Sequence, residues 1–271
     1  MTETPWQLEM FNRSIKKRKK VDALLQFLGP SQDKTCLLMT CGDNTGAMNY
    51  YFIRNGGSWF HADLQDENLA SLRQLTEGRL VHMDVRGPCY RPQVFDVVIV
   101  LDVLEHIRTD VAFLQRLRSL LRPNGRVIVT VPNAGDKLLA NYLRNAMGMT
   151  PDKYGHVRGG YTVAELNQTL QNAGYTVLRD GGYSRIVTEL IELAINFVYV
   201  RLMNKGNAEH KEGVIAPTSQ QELKKHGLSY KLFSALSPLL WALSQLDRLF
   251  FCGGQYASIS EARIAPEGPR S

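Results

Sequence analysis

The sequence predicts an α/β fold in which helices cover a doubly wound, mainly parallel sheet. Strand-like apolar runs alternate with segments of helical periodicity over much of the chain. The run VFDVVIVLDV, residues 94–103, is almost entirely apolar, as is typical of a strand buried on both faces. The turn RPNG then separates a helical pattern from a further strand pattern, which indicates a right-handed strand–helix–strand unit.

The elements follow one another in a regular order. Apolar residues at roughly helical spacing predict a helix over residues 6–28, which Gly29 and Pro30 end. An amphipathic helix is predicted over residues 110–121. Strands are predicted at 35–40, 58–64, 78–85, 94–103 and 126–131, with a sixth at 173–180 and a last, antiparallel strand at 255–264.

Residues 183–254 separate the last two strands, and a connection of this length needs structure of its own. Two apolar tracts, 186–203 and 230–251, predict helices there. Neither suits a membrane span of about 20 apolar residues, because Glu189 lies in the first and Pro238 interrupts the shorter apolar part of the second. The helices are expected to pack on the domain or on a second subunit, or to anchor the protein at a lipid surface.

Composition and charge limit the classes of protein to which the chain can belong. The chain has 271 residues, of which 44% are hydrophobic, and this fits a globular protein that can bury a core. Its net charge of +6 is concentrated in RSIKKRKK, residues 13–20. This run is expected to form a solvated helix face or to contact an anionic membrane surface. Nucleic acid is the weaker alternative, because zinc-finger spacing and aromatic RNA-binding signatures are absent from the sequence.

Two further patterns bear on location and on metals. The four cysteines form no CxxC pair, so neither a disulfide framework nor a zinc site is expected, and no other metal is predicted. The N-terminal residues lack the basic-then-apolar order of a signal peptide. The expected location is therefore the cytoplasm, with peripheral contact at the inner membrane face as an extension of it.

Acidic residues recur where predicted strands end. The first strand runs into the loop TCGDNTG, whose two glycines do not match the three-glycine fingerprint of dinucleotide enzymes. Asp63 follows Gly42 by the interval at which a ribose-binding acid is expected. Asp84, one strand further, is placed to accept from an adenine amine. Each acid taken alone also suits a helix N-cap or a turn.

These residues resemble the class I S-adenosylmethionine-dependent methyltransferases over residues 35–180. The resemblance rests on LLMTCGDNTG, FHADL, VHMDV, VFDVVIVLDVLEHI, FLQRLRSLLRPNGRVIVTVPN and GYTVAELNQTLQNAGYTVL, and the LEHI tract followed by LLRPNGRVIVTVP is its most specific part. It implies a doubly wound, seven-stranded Rossmann-like methyltransferase sheet with an N-terminal helix and a helical insertion before the last strand. The expected units are an N-terminal amphipathic helix at 1–30, an S-adenosylmethionine-binding core at 31–182, an apolar insertion at 183–254, and the last strand and tail at 255–271.

The resemblance also implies roles for particular residues in binding S-adenosylmethionine. The loop residues approach the methionine part, Asp63 with Leu64 binds the ribose, Asp84 and Val85 face the adenine, and the backbone of Leu101 lies near the amino group. In full, the residues expected to bind the cofactor are Thr40, Gly42, Asp43, Asp63, Leu64, Asp84, Val85 and Leu101.

The sequence departs from the family pattern at three positions. The family commonly has an acid where Leu38 stands, and glycines where Thr40 and Asn44 stand. Asn44 tolerates a left-handed backbone. Thr40 is expected to narrow the approach of the backbone to the ligand, and the missing acid is expected to cost a contact to the cofactor's amino group.

Two histidines are the candidate catalytic residues. His106 lies in LEHI, directly after the fourth strand, where a structural polar contact is the alternative role. His156 lies in KYGHVRGGYT, a glycine-rich stretch that suits a substrate-covering lid or an ordinary loop. If a general base is needed, His156 is the predicted one.

Two functions from different classes follow. The first is a methyltransferase acting on a small-molecule or lipid-linked acceptor, such as a glycan or lipid intermediate, and a homodimer through the apolar insertion is compatible with it. The second is an inert relative that keeps the fold as a binding or interaction module. Asp63 and Asp84 favour the first, whereas Leu38 and Thr40 favour the second.

Overall fold

The computed structural model describes residues 5–42, 45–65, 69–76, 79–86, 89–135, 138–147, 155–203, 227–249 and 254–266. Its helices are α1 (Trp6–Arg13), α2 (Ile15–Leu28), α3 (Ala47–Arg54), α4 (Leu69–Arg73), α5 (Asp110–Leu120), α6 (Leu139–Ala146), α7 (Val163–Asn172), α8 (Ile186–Met203) and α9 (Gly227–Ser244). Its strands are β1 (Thr35–Thr40), β2 (Ser58–Asp63), β3 (Leu80–His82), β4 (Phe95–Leu101), β5 (Leu121–Pro132), β6 (Tyr175–Tyr183) and β7 (Ala257–Ile264). Short 3-10 turns lie at Leu104–His106 and Gln245–Arg248.

The described strands form one seven-stranded sheet in the order β3-β2-β1-β4-β5-β7-β6. Strands β1 to β5 pair in parallel, and β7 lies antiparallel between β5 and β6. This arrangement confirms the predicted doubly wound, seven-stranded fold. The strand order reverses between β1 and β4, and ligands of such sheets bind outside the carboxyl ends of the strands at this point.

Helices cover both faces of the sheet and create two hydrophobic cores. On one face, Leu114 of α5 and Leu170 of α7 pack in the first core. On the other, Leu24 of α2 and Phe52 of α3 belong to the second core. The central strands β1 and β4 supply side chains to both cores, which explains the unbroken apolar runs in their sequences.

The N-terminal segment forms two helices, whereas the sequence predicted one. The break falls at Ser14, whose backbone is extended and whose hydroxyl accepts a hydrogen bond from the Lys17 N–H at 3.4 Å. Serine is a favoured N-cap because it satisfies one of the unpaired N–H groups at a helix start. The prediction of a continuous helix over residues 6–28 was therefore wrong at this residue.

The basic run on α2 is largely bound within the protein. Lys16 forms an ion pair with Glu189 at 3.0 Å, and Lys19 forms one with Asp247 at 2.7 Å. Lys20 is buried and pairs with Asp102. The expectation of a solvated helix face is therefore wrong for these three lysines, because carboxylates from distant parts of the chain reach them.

The insertion between β6 and β7 is tied to the rest of the fold by the same carboxylates. Asp247, in the second 3-10 turn, accepts hydrogen bonds from the N–H groups of Arg185, Val187 and Thr188 at 2.9–3.2 Å. It therefore caps the start of α8, as an N-cap residue would. None of the described helices is long and apolar enough to cross a membrane.

Candidate active site

The carboxyl ends of β1 and β2 are joined by a hydrogen-bonded acid. Asp63 lies beside Thr40 in the parallel register and is completely buried. Its carboxylate accepts from the Thr40 hydroxyl at 2.5 Å and from the N–H groups of Gly42 and Gln65 at 3.2 and 2.8 Å. Burial raises the pKa of Asp63, and these hydrogen bonds oppose that rise. Asp63 thus fixes the shape of the loop that leaves β1.

Gly42 lies where a side chain would not fit. Its φ is +66°, in the left-handed region that favours glycine. A Cβ atom there would lie 2.2 Å from the Gln65 side-chain oxygen, so the Gln65 amide lies directly against the glycine. Gln65 was not among the residues predicted from the sequence to lie at this site. Asp43, predicted to bind the cofactor, lies outside the described residues.

Thr40 is accommodated by turning towards the acid. Its side chain is buried, and its hydroxyl is the closest donor to Asp63. A glycine at this position would leave one hydrogen-bond acceptor site of Asp63 for a ligand hydroxyl. The Thr40 hydroxyl occupies that site, which the ribose was predicted to use. The next predicted residue, Leu64, is half-buried and donates its N–H to the Thr40 carbonyl at 3.0 Å.

Asp84 has different surroundings from Asp63. It follows β3, and its carboxylate accepts from the Arg86 backbone N–H at 2.6 Å and from the Arg86 side chain. Arg86 holds the pKa of Asp84 below its usual value. Val85 is 50% exposed. Asp63 is enclosed and Asp84 is open to solvent, so a shared nucleoside site at these two acids stays a prediction.

An ionic cluster follows β4. Leu101 is buried, and Asp102 after it has a φ of +49°, which is uncommon for a residue other than glycine. Lys20 of α2 pairs with one Asp102 oxygen, and the other, Oδ1, has no hydrogen-bond partner among the described residues. Glu105 is buried, and burial together with the Asp102 charge holds the pKa of Glu105 well above its usual value.

The two candidate histidines meet beside this cluster. The His106 and His156 rings lie 4.7 Å apart, edge to face. The His106 Nδ1 is 3.1 Å from the Gly155 carbonyl oxygen. Burial lowers the pKa of both histidines, that of His156 to about 4. Burial therefore favours the neutral form of both rings.

The segment after His156 is fastened to the turn that follows β4. Val157 donates its N–H to the Glu105 carbonyl at 2.9 Å. Arg158 and Tyr161 both bind the carboxylate of Asp110, at 2.7 and 2.6 Å. These bonds hold His156 near the end of β4, as the sequence predicted for His106, although the two histidines lie 50 positions apart in the sequence.

Sheet order and the acidic carboxyl edge together define a Rossmann-like fold of the methyltransferase class. Comparison with known families gives the same class: residues 13–180 match the family model described as a methyltransferase domain. The match covers more than half of the chain, and the chain belongs to this methyltransferase domain family.

Individual relatives are distant. The chain is 25% identical over 167 residues to the tRNA U34 carboxymethyltransferase of Pseudoalteromonas translucida, a match that covers 58% of this chain and 49% of the relative. It is 26% identical over 155 residues to the ubiquinone biosynthesis O-methyltransferase of Parvibaculum lavamentivorans, covering 54% of this chain and 60% of the relative. The matched part is thus about half to three fifths of the length of these curated relatives.

Solved structures share the fold at low sequence identity. Phosphoethanolamine N-methyltransferase 2 of Haemonchus contortus, solved with S-adenosyl-L-methionine, superposes with a TM-score of 0.56 at 17% identity, covering 92% of this chain and 52% of that chain. An S-adenosylmethionine-dependent methyltransferase of Mesorhizobium loti gives a TM-score of 0.54 at 13% identity, covering 92% of this chain and 99% of that chain. At these identities the similarity establishes the fold alone.

Proposed function

We propose that this protein is an S-adenosylmethionine-dependent methyltransferase that acts on a small-molecule or lipid-linked acceptor. The observation that carries the proposal is the joined end of β1 and β2, where buried Asp63 holds the Gly42 loop in place at the strand-order reversal. Membership of the methyltransferase domain family supports the reaction class.

The residues at the carboxyl edge fit the proposed cofactor. S-adenosylmethionine carries a sulfonium and an ammonium and no phosphate, so it suits acids at strand ends better than a glycine-rich phosphate cradle. Gly42 adds no side chain to the loop, and the group that lies against it is the flexible side-chain amide of Gln65. Asp102 Oδ1, which has no hydrogen-bond partner within the described ranges, supplies an acceptor for a cationic or hydroxyl donor. When bound, this cofactor supplies a methyl group already activated by the positive sulfur.

The protein's own contribution is mainly alignment. Holding a nucleophile in line with the methyl group is worth roughly 7–11 kcal/mol of the barrier. His156 and His106 are the groups proposed to contact the acceptor. With a pKa of about 4, His156 is a weak proton acceptor at pH 7, and the best general bases have a pKa near the working pH.

A lipid-linked acceptor is favoured by an exposed apolar stripe on the insertion between β6 and β7. Leucines recur along α9 and its following turn at helical spacing, and all are 41–71% exposed: Leu236, Leu239, Leu243, Leu246 and Leu249. The α8 and α9 segment leaves and re-enters the sheet at Tyr183 and Ala257, which pair beside the carboxyl end of β5. Exposed apolar stripes of this kind mark membrane or protein contacts.

Cofactor binding tests the proposal. We expect S-adenosylhomocysteine to bind in isothermal titration calorimetry and, at 100 times its dissociation constant, to stabilise the protein by about 2.7 kcal/mol. Asp63→Asn should weaken binding, whereas Asp33→Asn, at an exposed turn, should not. Absence of binding to the wild-type protein at millimolar ligand would overturn the proposal.

The same measurement decides the second candidate, an inert module with a methyltransferase fold. This alternative is favoured by Leu38, which is fully buried where the family has an acid, and by Gln65, which lies against Gly42. A folded protein that binds no S-adenosylhomocysteine, with and without Gln65→Ala, would support it.

Membrane contact is tested by vesicle flotation. Because Lys16, Lys19 and Lys20 are bound internally, we expect binding to depend on the leucine stripe and little on salt. The pair Leu239→Glu and Leu243→Glu should abolish flotation, and Leu178→Glu, an exposed leucine on β6, should not. If the wild-type protein does not float but elutes as a dimer that the same pair dissociates, the stripe is a subunit interface and the membrane contact is wrong.

A further inference from the structure

Three potential metal-binding side chains converge after β4. Glu105 and His106 come from the 3-10 turn, and His156 comes from the segment fastened to it. One ligand atom from each lies within 4.8 Å of the other two. Donors that share one ion at about 2.0–2.2 Å stand roughly 3–4 Å apart, so this spacing needs only a small contraction.

The orientation of His106 is the one that metal-binding histidines adopt. Its Nδ1 lies 3.1 Å from the Gly155 carbonyl oxygen, so Nδ1 carries the proton and donates it. The Nε2 lone pair is then the one that is left for a ligand. Histidines that bind metals almost always donate their other ring N–H to a carbonyl or carboxylate in this way.

Glu105 supplies the independent observation. Its side chain is 1% exposed, yet its Oε2 has no hydrogen-bond partner among the described residues. An unsatisfied carboxylate oxygen in such an environment costs free energy unless a proton or a cation meets it. A cation bound by the Glu105 carboxylate would compensate this buried group.

We propose that Glu105, His106 and His156 bind one divalent transition-metal ion, with Zn²⁺ as the representative ion. Two imidazoles and one carboxylate form a donor set of transition metals, whereas Mg²⁺ and Ca²⁺ prefer oxygen ligands throughout. The proposal departs from the sequence-based expectation that the chain holds no metal. The signal was present in LEHI, but the distant His156 completes the set.

Lys20 sets the charge of this site. Its ammonium pairs with Asp102, whose charge also acts on Glu105, His106 and His156. With Asp102 balanced in this way, Glu105 is the carboxylate that the described part of the chain places among the proposed ligands to compensate the dication. Three protein ligands leave coordination positions open, as in catalytic rather than structural zinc sites.

The open positions identify an acceptor class, and this step rests on the proposed function. The ion would hold an acceptor hydroxyl next to the β4 end and lower the pKa of that hydroxyl. The hydroxyl proton leaves to water, the oxygen bonds to the methyl carbon, and the C–S electron pair stays on sulfur. An acceptor hydroxyl is thus a group that this arrangement would activate.

The experiment uses the full chain after removal of any affinity tag and of bound metal by a chelator. Zn²⁺ is titrated calorimetrically, and Co²⁺ absorption reports the coordination geometry. We expect one ion per chain, and at least about tenfold weaker binding in Glu105→Gln, His106→Asn and His156→Asn. The exposed His82→Asn should bind as the wild-type protein does.

Binding of S-adenosylhomocysteine and the thermal melting curve are measured on the same samples. A variant that keeps its melting transition but loses Zn²⁺ supports the site. No saturable binding to the wild-type protein, or equal binding by all three variants, overturns it. Zn²⁺ binding without S-adenosylhomocysteine binding would support the metal site and reject the proposed function. S-adenosylhomocysteine binding without Zn²⁺ binding would support the proposed function and reject the metal site.

Discussion

At the scale of single residues, Gly42 and Gln65 are tightly matched. We expect Gly42→Ala to lower the free energy of unfolding by about 1–2 kcal/mol from the left-handed backbone alone. The contact with Gln65 adds to this loss, and Gln65→Ala in the same chain should restore that added part. Urea unfolding of the two single variants and the double variant measures both contributions. If the double variant is no more stable than Gly42→Ala, the contact with Gln65 is unimportant.

The hydrogen bond from Thr40 to buried Asp63 can be tested with two variants of similar size. Thr40→Val keeps the shape and removes the donor, so the free energy of unfolding should fall by about 1–3 kcal/mol, the cost of an unsatisfied buried group. Thr40→Ser keeps the hydroxyl and serves as the control. Equal stability of the two variants in urea would contradict this role.

His61 gives one residue a defined pH dependence. Burial lowers its pKa from 6.5 to about 4, and the Asn49 side chain lies 2.8 Å from its Nδ1. Below pH 6.5 His61 binds a proton in the unfolded chain, whereas in the folded chain it stays neutral until the pH approaches 4. The stability difference between wild type and His61→Gln, measured in urea, should therefore shrink as the pH falls from 6.5 towards 4. A constant difference over that range would show that His61 has the same pKa in the folded and unfolded chains.

Residue roles were only partly predictable from sequence. The LEHI and KYGH motifs pointed to His106 and His156, and the structure brings them together. The role of Lys20 could not be predicted from the basic run. The sequence pattern is the same whether the lysines are solvated or pair with a distant carboxylate. Gln65 gave no signal, since its contact with Gly42 depends on how two loops approach each other.

At the scale of elements, α8 depends on a buried carboxylate. Burial alone would raise the pKa of Glu189, but Lys16 and Arg144 outweigh it and hold the pKa at about 2. Glu189→Gln should lower the free energy of unfolding by about 3 kcal/mol, as breaking a buried ion pair leaves its partners uncompensated. Glu192→Gln is the matched control one turn away, where burial raises the pKa and less charge is lost. Similar losses of stability in both variants would show that the ion pairs of Glu189 have no special role.

Strand positions were predicted well because period and burial determine them. The prediction for β1 matches Thr35–Thr40, and that for β4 differs by one or two residues at each end. Strand β5 begins earlier than predicted, at Leu121, because this residue pairs with Phe95 across an irregular register. The break at Ser14 was missed because the apolar spacing continues across it.

At the scale of the whole molecule, both ends of the insertion connect to the sheet at the same place, the ends of β6 and β7. Tyr183 and Ala257 are paired, so the α8–α9 segment closes what would otherwise be a hairpin. Replacing residues 186–254 by a short glycine-rich turn, with Lys16→Gln and Lys19→Gln, should keep the sheet and S-adenosylhomocysteine binding and abolish vesicle binding. Circular dichroism, calorimetry and flotation test this, with the two lysine substitutions in the full chain as the control. Loss of the folded sheet would show that the insertion is part of the core.

The doubly wound, seven-stranded sheet with an antiparallel last strand was predictable, because strand–helix–strand units have one handedness and the sequence motifs resemble a known family. The packing of the insertion was not, since apolar helices of this composition suit a core, a subunit contact or a lipid surface equally well. Its attachment depends on pairs such as Lys19 with Asp247, which lie more than two hundred residues apart in sequence.

The pairing of Lys20 with Asp102 has a practical consequence for anyone who shortens this chain. Trimming the first 28 residues, a routine step for improving expression, would remove Lys20, the counter-ion of Asp102 after β4, together with the core side chains of α2 such as Leu24. Even in a shortened protein that still folds, Asp102 would carry an uncompensated negative charge, and the ligand preferences of that protein would describe a different electrostatic environment from that of the intact chain.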